Sequence, residues 1–211
     1  MHALTREQVH QLLAAASGHR LEALYVLAIT TGMRQGELLG LRWSDVDLAG
    51  CWLQVRRALQ YQPGMGYVFV EPKTATSRRR IQLPTVVVAA LHRHRPRQVA
   101  ERLAAGPLWT DFDLVFPNTV GKPMDGIHLL RRDFLPLLER AGLPRIRFHD
   151  LRHTAATLLL GQRHASVNAV SQMLGHSGAA VTVGIYGHVT SDQERQTAEG
   201  MDALFGANHA V

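Results

Sequence analysis

The chemistry of this chain is concentrated in the stretch HDLRHTAAT, residues 149–157, which opens a predicted helix with two histidines and an arginine. The sequence continues with QMLGHS at residues 172–177 and with Tyr186. A guanidinium is charged at any physiological pH, an imidazole exchanges protons near neutrality, and a phenol can act as a nucleophile. This combination is suited to a phosphodiester, which needs fixed positive charge, proton transfer and an attacking group.

If the helix begins at about Asp150, the side chains of His149 and Arg152 share one face near its N-terminus. An anion at that position would also meet unpaired backbone N–H groups. HxxR by itself is more often an ordinary surface helix. His149 and His153 have the spacing of a zinc pair, but no Glu follows the first His as it does in HExxH, so no metal site is predicted.

Outward from this stretch, periodicity predicts a chain of helices interrupted by short strands. Thr5 and Gln8 form a capping box at the start of the first helix, and an apolar helix over about residues 20–31 stops at Gly32. A new helical turn then starts near Arg34. Glu37, one turn later, is placed to brace the Arg34 guanidinium.

Three β-prone runs lie in the middle of the chain: the alternating residues from Cys51, then Tyr67–Val70, then Ile81–Leu83. Residues 71–80 are predicted to be the connection of a hairpin between the last two runs. That basic connection holds four cations, Lys73, Arg78, Arg79 and Arg80, which are either candidate contacts to a polyanion or a solvated basic turn. Helical patterns follow Pro84, so the predicted fold class is mainly α with a small antiparallel β-sheet.

Composition narrows the functional classes. The 211 residues include 23 Lys and Arg against 17 Asp and Glu, a formal charge of +6, which is compatible with a polyanionic partner but also with simple solubility. The single cysteine, Cys51, cannot form an internal disulfide. With neither an export signal nor a membrane-length apolar run, a cytoplasmic protein with no membrane partner is expected.

Five segments together resemble the tyrosine recombinases, also called phage integrases. They are TGMRQGELLGLRW around Arg34, EPKTATSRRRIQLP around Lys73, HDLRHTAAT, QMLGHS, and IYGHV around Tyr186. They occur in the family's order over about residues 4–190. The resemblance implies the DNA breaking-rejoining catalytic fold over residues 1–190 and a C-terminal tail or helix at 191–211. It also implies that the family's N-terminal core-binding domain is absent from this chain.

The resemblance implies a role for each matching residue. Tyr186 would attack a DNA phosphodiester to give a 3′-phosphotyrosyl intermediate and a free 5′-hydroxyl. Arg34, Arg152 and His176 would contact the nonbridging oxygens. Lys73 would be the general acid for the leaving 5′-oxygen. His149 would act as acid or base near the nucleophile, and Glu37 would be the acidic residue that supports Arg34.

The implied function is site-specific DNA recombination, in integration or excision of a mobile element, without metal, ATP or another cofactor. Double-stranded DNA is the expected partner, so the protein would be DNA-associated, and Arg78, Arg79 and Arg80 are the candidate DNA-binding residues. A tetrameric synapse on DNA and a monomer when free are expected. Two alternatives remain open: a type IB topoisomerase-like enzyme, and a non-catalytic DNA-binding regulatory fragment. Between His176 and Tyr186 the family usually has two Ser or Thr residues, whereas residues 181–184 supply one hydroxyl.

Overall fold

The computed structural model describes residues 3–71, 78–161 and 166–175, and it confirms the predicted fold class. A π-helical segment, Leu129–Phe134, joins two of the helices. The helices are α1 (Arg6–Ala16), α2 (Glu22–Thr31), α3 (Gln35–Leu39), α4 (Thr85–Ala105), α5 (Gly126–His128), α6 (Leu135–Arg140), α7 (Asp150–Leu160) and α8 (Val167–Leu174).

Among the described residues, the strands form two small antiparallel sheets. One sheet has three strands in the order β1-β2-β5, and the other is the hairpin β3-β4. Their bounds are β1 (Val46–Asp47), β2 (Trp52–Val55), β3 (Ala58–Gln62), β4 (Gly66–Val70) and β5 (Arg79–Gln82).

The predicted hairpin across residues 71–80 is wrong. Strand β5 pairs with β2, with Leu53 opposite Ile81 and Val55 opposite Arg79, while β4 pairs with β3. Leu53 and Ile81 are both buried, so this register places apolar side chains of both strands on the core side. Strand β3, which the sequence reasoning missed, reaches β4 through a tight turn and takes its pairing edge. As a result Arg79 and Arg80 belong to a strand and not to a loop.

The first helix begins as predicted. The Thr5 hydroxyl accepts a hydrogen bond from the backbone N–H of Gln8 at 3.2 Å, and the Gln8 side chain accepts one from the N–H of Thr5 at 3.0 Å. Just before this capping box, the N–H of Leu4 donates to the hydroxyl of Thr154 in α7 at 3.0 Å. The beginning of the described chain is therefore tied to the helix that starts with the HDLRH motif.

Helix α2 is the centre of the core. Seven consecutive residues, Ala23–Ile29, are buried, and the helix contacts α1, α4 and α7. A helix that is apolar all round is stable only when neighbours cover every face. Because the core fixes α2, it also fixes the C-terminal end of this helix and the turn that leads to Arg34.

Helix α4 is the longest of the helices that the structure describes, and its outer face is charged. Arg93 donates to Glu22 at 2.6 Å, and the guanidinium of Arg95 lies 5.2 Å from the ring centre of Trp43. Within the described ranges, no helix is both long and apolar enough to cross a membrane.

Gly32 ends α2 in the left-handed conformation, with φ of +62°. A Cβ atom at this position would overlap Cδ2 of Leu174 and lie 3.4 Å from Cβ of Ala155. The last turn of α8 thus packs directly on the glycine that ends α2. This close approach brings the beginning of α3 next to the end of α8.

We predict that Gly32→Ala destabilises the protein more than Gly142→Ala. Both glycines have positive φ, at +62° and +65°, but a Cβ at Gly142 meets nothing within 4 Å. Each variant pays the left-handed strain of about 1–2 kcal/mol, and only Gly32→Ala adds an overpacking cost of about 1–3 kcal/mol. Urea unfolding measures both free energies. Equal losses in the two variants would contradict the packing of α8 on Gly32.

Candidate active site

Arg34 stands at the corner between α2 and α3, with 43% of its side chain exposed. Its backbone N–H donates to Oε2 of Glu37 at 2.9 Å, and its Nη1 donates to Oε1 of the same carboxylate at 3.0 Å. The contact predicted from their spacing is present. Glu37 therefore caps α3 and holds one side of the Arg34 guanidinium, while much of that side chain faces solvent.

Glu37 itself is buried, and a second arginine binds it. Nη1 and Nη2 of Arg79 donate to its two carboxylate oxygens at 3.1 and 2.9 Å. Burial alone would raise the pKa of Glu37, but the hydrogen bonds and charge of Arg79, together with Arg34, hold that pKa below its ordinary value. The carboxylate is therefore ionised and shared between two guanidinium groups.

The position of Arg79 differs from the expectation of a DNA-binding residue on a solvated loop. Its side chain is only 6% exposed, and its Nε donates to the backbone carbonyl of Met173 at 2.6 Å. Alternation along β5 explains this placement, because Arg79 shares the inward face with Ile81. The sequence reasoning missed that Arg79 belongs to the site. Its alternation with the apolar Ile81 and Leu83 could have shown that Arg79 faces inward.

Arg152, in the first turn of α7, is 4% exposed and connects two chain segments. Its Nη1 donates to the carbonyl of Gly32 at 2.7 Å and to the carbonyl of Leu174 at 2.8 Å. The same guanidinium nitrogen thus joins the end of α2 to the end of α8, and these two contacts orient the plane of the group.

The three arginines meet at the C-terminal end of α8. The last carbonyls of a helix lack intrahelical donors and form the negative end of its dipole, so cations are stabilised there. Gly175, in the left-handed conformation, closes the helix, and its carbonyl lies 3.5 Å from Nη2 of Arg34. Three consecutive carbonyls therefore face three guanidinium groups: Met173 faces Arg79, Leu174 faces Arg152, and Gly175 faces Arg34.

The backbone N–H groups at the start of α7 are not open to an anion, contrary to the expectation from the sequence. They already donate to carbonyls of the preceding turn, at 2.9 Å from Asp150 to Arg147, 3.1 Å from Leu151 to Phe148 and 3.1 Å from Arg152 to His149. The tight turn that leads into the helix uses these donors. Positive charge for an anion at this site must come from side chains.

His149 lies at this end of α7, within the field of the arginines. Burial lowers the pKa of His149, and the charges of Arg152, Arg147 and Arg34 lower it further, against an opposing effect of Asp150. The His149 ring packs edge-on against the ring of His153, with the centroids 5.0 Å apart. An imidazole with a lowered pKa is neutral near pH 7 and can accept a proton.

The histidine pair has no further metal ligands nearby in the part of the chain that the structure describes. Among those residues, no group of three or more His, Cys, Asp or Glu side chains is arranged to hold a metal ion.

Arg78 and Arg80 lie on the outward side of the strand region. Arg78 pairs with Glu71, and the guanidinium of Arg80 lies 4.2 Å from the ring centre of Trp52. Both are exposed at the edge of an open groove that β5 forms with Ala169, Gln172 and Met173 of α8. Their position is compatible with contacts to a long polyanion.

Three of the predicted catalytic residues, Lys73, His176 and Tyr186, lie outside the described residues, as does the predicted tail at 191–211. The described part of the site consists of Arg34, Glu37, His149 and Arg152, to which the structure adds Arg79. By sequence, His176 directly follows Gly175, the residue that closes α8.

Known proteins resemble this chain in sequence. The model of the phage integrase family matches residues 2–193. The chain is 37% identical to a tyrosine recombinase XerC-like protein of Caldanaerobacter subterraneus subsp. tengcongensis, over 94% of this chain and 53% of that protein. It is 34% identical to an integrase of Streptomyces ambofaciens, over 96% and 53%. The chain thus spans about half the length of these curated relatives.

Solved structures show the same fold. The Tn1549 transposon integrase, in complex with circular intermediate DNA, has a TM-score of 0.78 and 25% identity, covering 95% of this chain and 67% of that one. The XerA recombinase has a TM-score of 0.69 and 28% identity, covering 95% and 65%. The chain belongs to the phage integrase family, and its fold is that of a tyrosine recombinase catalytic domain.

Proposed function

We propose that this chain is the catalytic part of a site-specific recombinase that cuts and rejoins double-stranded DNA through a 3′-phosphotyrosyl intermediate. The observation that carries the proposal is the convergence of Arg34, Arg79 and Arg152 on the carbonyls that end α8. Membership of the phage integrase family supports it. So does the structural likeness to a transposon integrase that was solved with DNA.

Phosphate binding is the first task of the site. Arg34 has the exposure to reach a phosphate, and Glu37 holds its guanidinium in one orientation. Arg152 is oriented by two carbonyls before any substrate arrives. Charges that are already in place stabilise the extra negative charge of the transition state without reorganisation. In this proposal the two guanidinium groups bind the nonbridging oxygens, and His176 adds a third hydrogen bond.

In strand cleavage one bond to phosphorus forms, another breaks, and two protons are transferred. The Tyr186 oxygen attacks phosphorus, the bond from phosphorus to the 5′-oxygen breaks, and Lys73 protonates the leaving oxygen. Neutral His149 accepts the phenol proton, for which its lowered pKa suits it. The roles of Tyr186, Lys73 and His176 come from the family motifs. Attack of a 5′-hydroxyl on the phosphotyrosyl bond reverses the steps, so rejoining needs no ATP.

We further propose how the chain contacts DNA and other copies of itself. Arg78 and Arg80, on the groove beside α8, contact the DNA backbone. Four copies assemble on DNA for strand exchange, whereas the free chain is a monomer. Residues 1–190 form the catalytic unit and 191–211 a tail, and the biological reaction is the integration or excision of a mobile element in the cytoplasm.

The two alternative functions are weaker. The relatives described above are recombinases and integrases, so a type IB topoisomerase is not favoured. A non-catalytic regulatory fragment is distinguished from an enzyme by whether a covalent adduct with DNA forms.

We predict that the chain forms a denaturant-resistant adduct with a nicked suicide DNA substrate and that Tyr186→Phe abolishes it, because the phenol oxygen becomes the bond to phosphorus. Denaturing gel electrophoresis of labelled DNA measures the adduct. Tyr61→Phe is the matched control, since Tyr61 is 64% exposed on the β3-β4 hairpin and keeps its ring contact after the change. The absence of any adduct with the unchanged chain at high protein concentration favours the regulatory fragment.

We predict that single-turnover cleavage is lost at acidic pH as His149 becomes protonated. Because the pKa of His149 is lowered from 6.5, the rate persists below pH 6.5 and falls as the pH passes through that lowered value. His149→Gln removes this acidic limb and slows cleavage by about 10²–10⁴-fold. His92→Gln, an exposed change on α4, leaves the profile unchanged. An unaltered acidic limb in His149→Gln would show that another group titrates.

We predict that adduct formation proceeds at the same rate in EDTA as in Mg²⁺. Guanidinium groups of the protein supply the positive charge at the phosphate, a role that metal ions fill in other phosphoryl-transfer enzymes. Suicide-substrate assays in the two buffers test this. Loss of the adduct in EDTA with recovery on addition of Mg²⁺ would refute metal independence.

A further inference from the structure

We infer that Arg79 is a positioning residue of the strand-transfer site, which holds Arg34 ready for phosphate by acting through Glu37. This inference rests on the proposed function, since it deepens the account of the same site. Arg79 does not contact the substrate, and it acts through the carboxylate of Glu37 and the C-terminal end of α8.

The hydrogen bonds to Glu37 show how the two arginines are linked. Oε1 accepts from Nη1 of Arg34 at 3.0 Å and from Nη1 of Arg79 at 3.1 Å. Oε2 accepts from the backbone N–H of Arg34 at 2.9 Å and from Nη2 of Arg79 at 2.9 Å. Arg79 thus binds both oxygens from one side and prevents rotation of the carboxylate that orients Arg34.

Charge balance gives a second reason for Arg79. If Arg34 were the partner of Glu37 by itself, the buried carboxylate would cancel the charge that Arg34 must offer to a phosphate. A second guanidinium leaves the Arg34-Glu37-Arg79 cluster with a net positive charge. It also keeps the buried carboxylate compensated while Arg34 shares its charge with a phosphate, and an uncompensated buried charge is strongly unfavourable.

Arg79 also anchors the end of α8. Its Nε donates to the carbonyl of Met173, and a Cβ added to Gly175 would lie only 2.9 Å from its Nη1. The guanidinium therefore packs against the turn that closes α8. The same side chain fixes Arg34 on one side and, on the other, the helix end that directly precedes His176 in the sequence.

The hydrogen bonds of Arg79 separate this role from a direct contact with DNA, because its Nε donates to the carbonyl of Met173 and its Nη1 and Nη2 donate to Glu37. The Arg79 side chain is 6% exposed, whereas that of its neighbour Arg78 is 55% exposed. A guanidinium enclosed by a carboxylate and a backbone carbonyl is held by the protein before DNA binds. Its substitution should alter the rate of the chemical step and leave DNA affinity unchanged.

The test compares Arg79→Lys with Arg20→Lys in the full chain. Lysine keeps the charge but cannot make the two-pronged contact with a carboxylate. Arg20 is the matched control because it binds both oxygens of Glu101, at 2.7 and 2.8 Å, and a backbone carbonyl, at 2.9 Å from Pro117, outside the cluster. Circular dichroism establishes that both variants fold.

Two readouts are measured on each variant. The first is the single-turnover rate of adduct formation, set against the Kd for uncut duplex, and we expect Arg79→Lys to lower the rate by about 10–100-fold with Kd unchanged. The second is the mobility of the Arg34 Nε–H group by NMR in the free protein, which we expect to increase in Arg79→Lys. Arg20→Lys should change neither readout.

The outcomes separate this inference from the proposed function. A wild-type rate in Arg79→Lys, or an unchanged mobility of Arg34, overturns the positioning role. A loss of DNA affinity that accounts for the lost rate makes Arg79 a DNA contact and overturns it as well. If the unchanged chain forms no adduct while Arg79→Lys still mobilises Arg34, the positioning role stands and the proposed function fails.

A second substitution covers the case in which Arg79→Lys does not fold. The double variant Glu37→Gln with Arg79→Met leaves no unpaired buried charge, and replacement of a buried ion pair by neutral groups is often tolerated. We expect this variant to fold with a mobile Arg34 and slow cleavage. Wild-type order of Arg34 together with a wild-type rate in the double variant overturns the inference.

Discussion

The site depends on the interaction between guanidinium groups and the last carbonyls of α8. A helix that ends at Gly175 leaves carbonyl oxygens without intrahelical donors, and such oxygens attract cations. Arg79 and Arg152 supply hydrogen bonds at 2.6 and 2.8 Å, and Arg34 lies at the next carbonyl. Residues from α3, β5 and α7 thereby meet at one point, although they are far apart in the sequence.

Like charges do not gather without compensation, and Glu37 provides it. Its buried carboxylate receives two arginines, so Arg34 and Arg79 can lie close together while their repulsion is offset. The same carboxylate caps α3 through the backbone N–H of Arg34. One acidic residue therefore serves the local structure of a helix and the electrostatics of the site. The surplus of guanidinium over carboxylate leaves the site positive, which suits the phosphodiester of the proposed substrate.

The hydrophobic core around α2 determines where these charged groups lie. Helix α2 is covered on every face, and Gly32 ends it at a position where no side chain fits beside Leu174. The carbonyl of Gly32 then accepts from Arg152, so the corner before Arg34 and the end of α8 share one arginine. Packing of an apolar helix and close backbone approach at a glycine thus set the geometry of the charged groups in the candidate site.

The sequence by itself determined the local features: the capping box at Thr5, the end of α2 at Gly32, the spacing of Arg34 and Glu37, and the beginning of α7 at Asp150. Caps and helical periodicity depend on neighbouring residues, so they can be read from the chain. Only the tertiary structure decided that β5 pairs with β2, that Arg79 is buried against Glu37, and that the N–H groups at the start of α7 are already bonded. Strand partners and the ends of other helices are distant in sequence, and which of them meet depends on how the whole core packs.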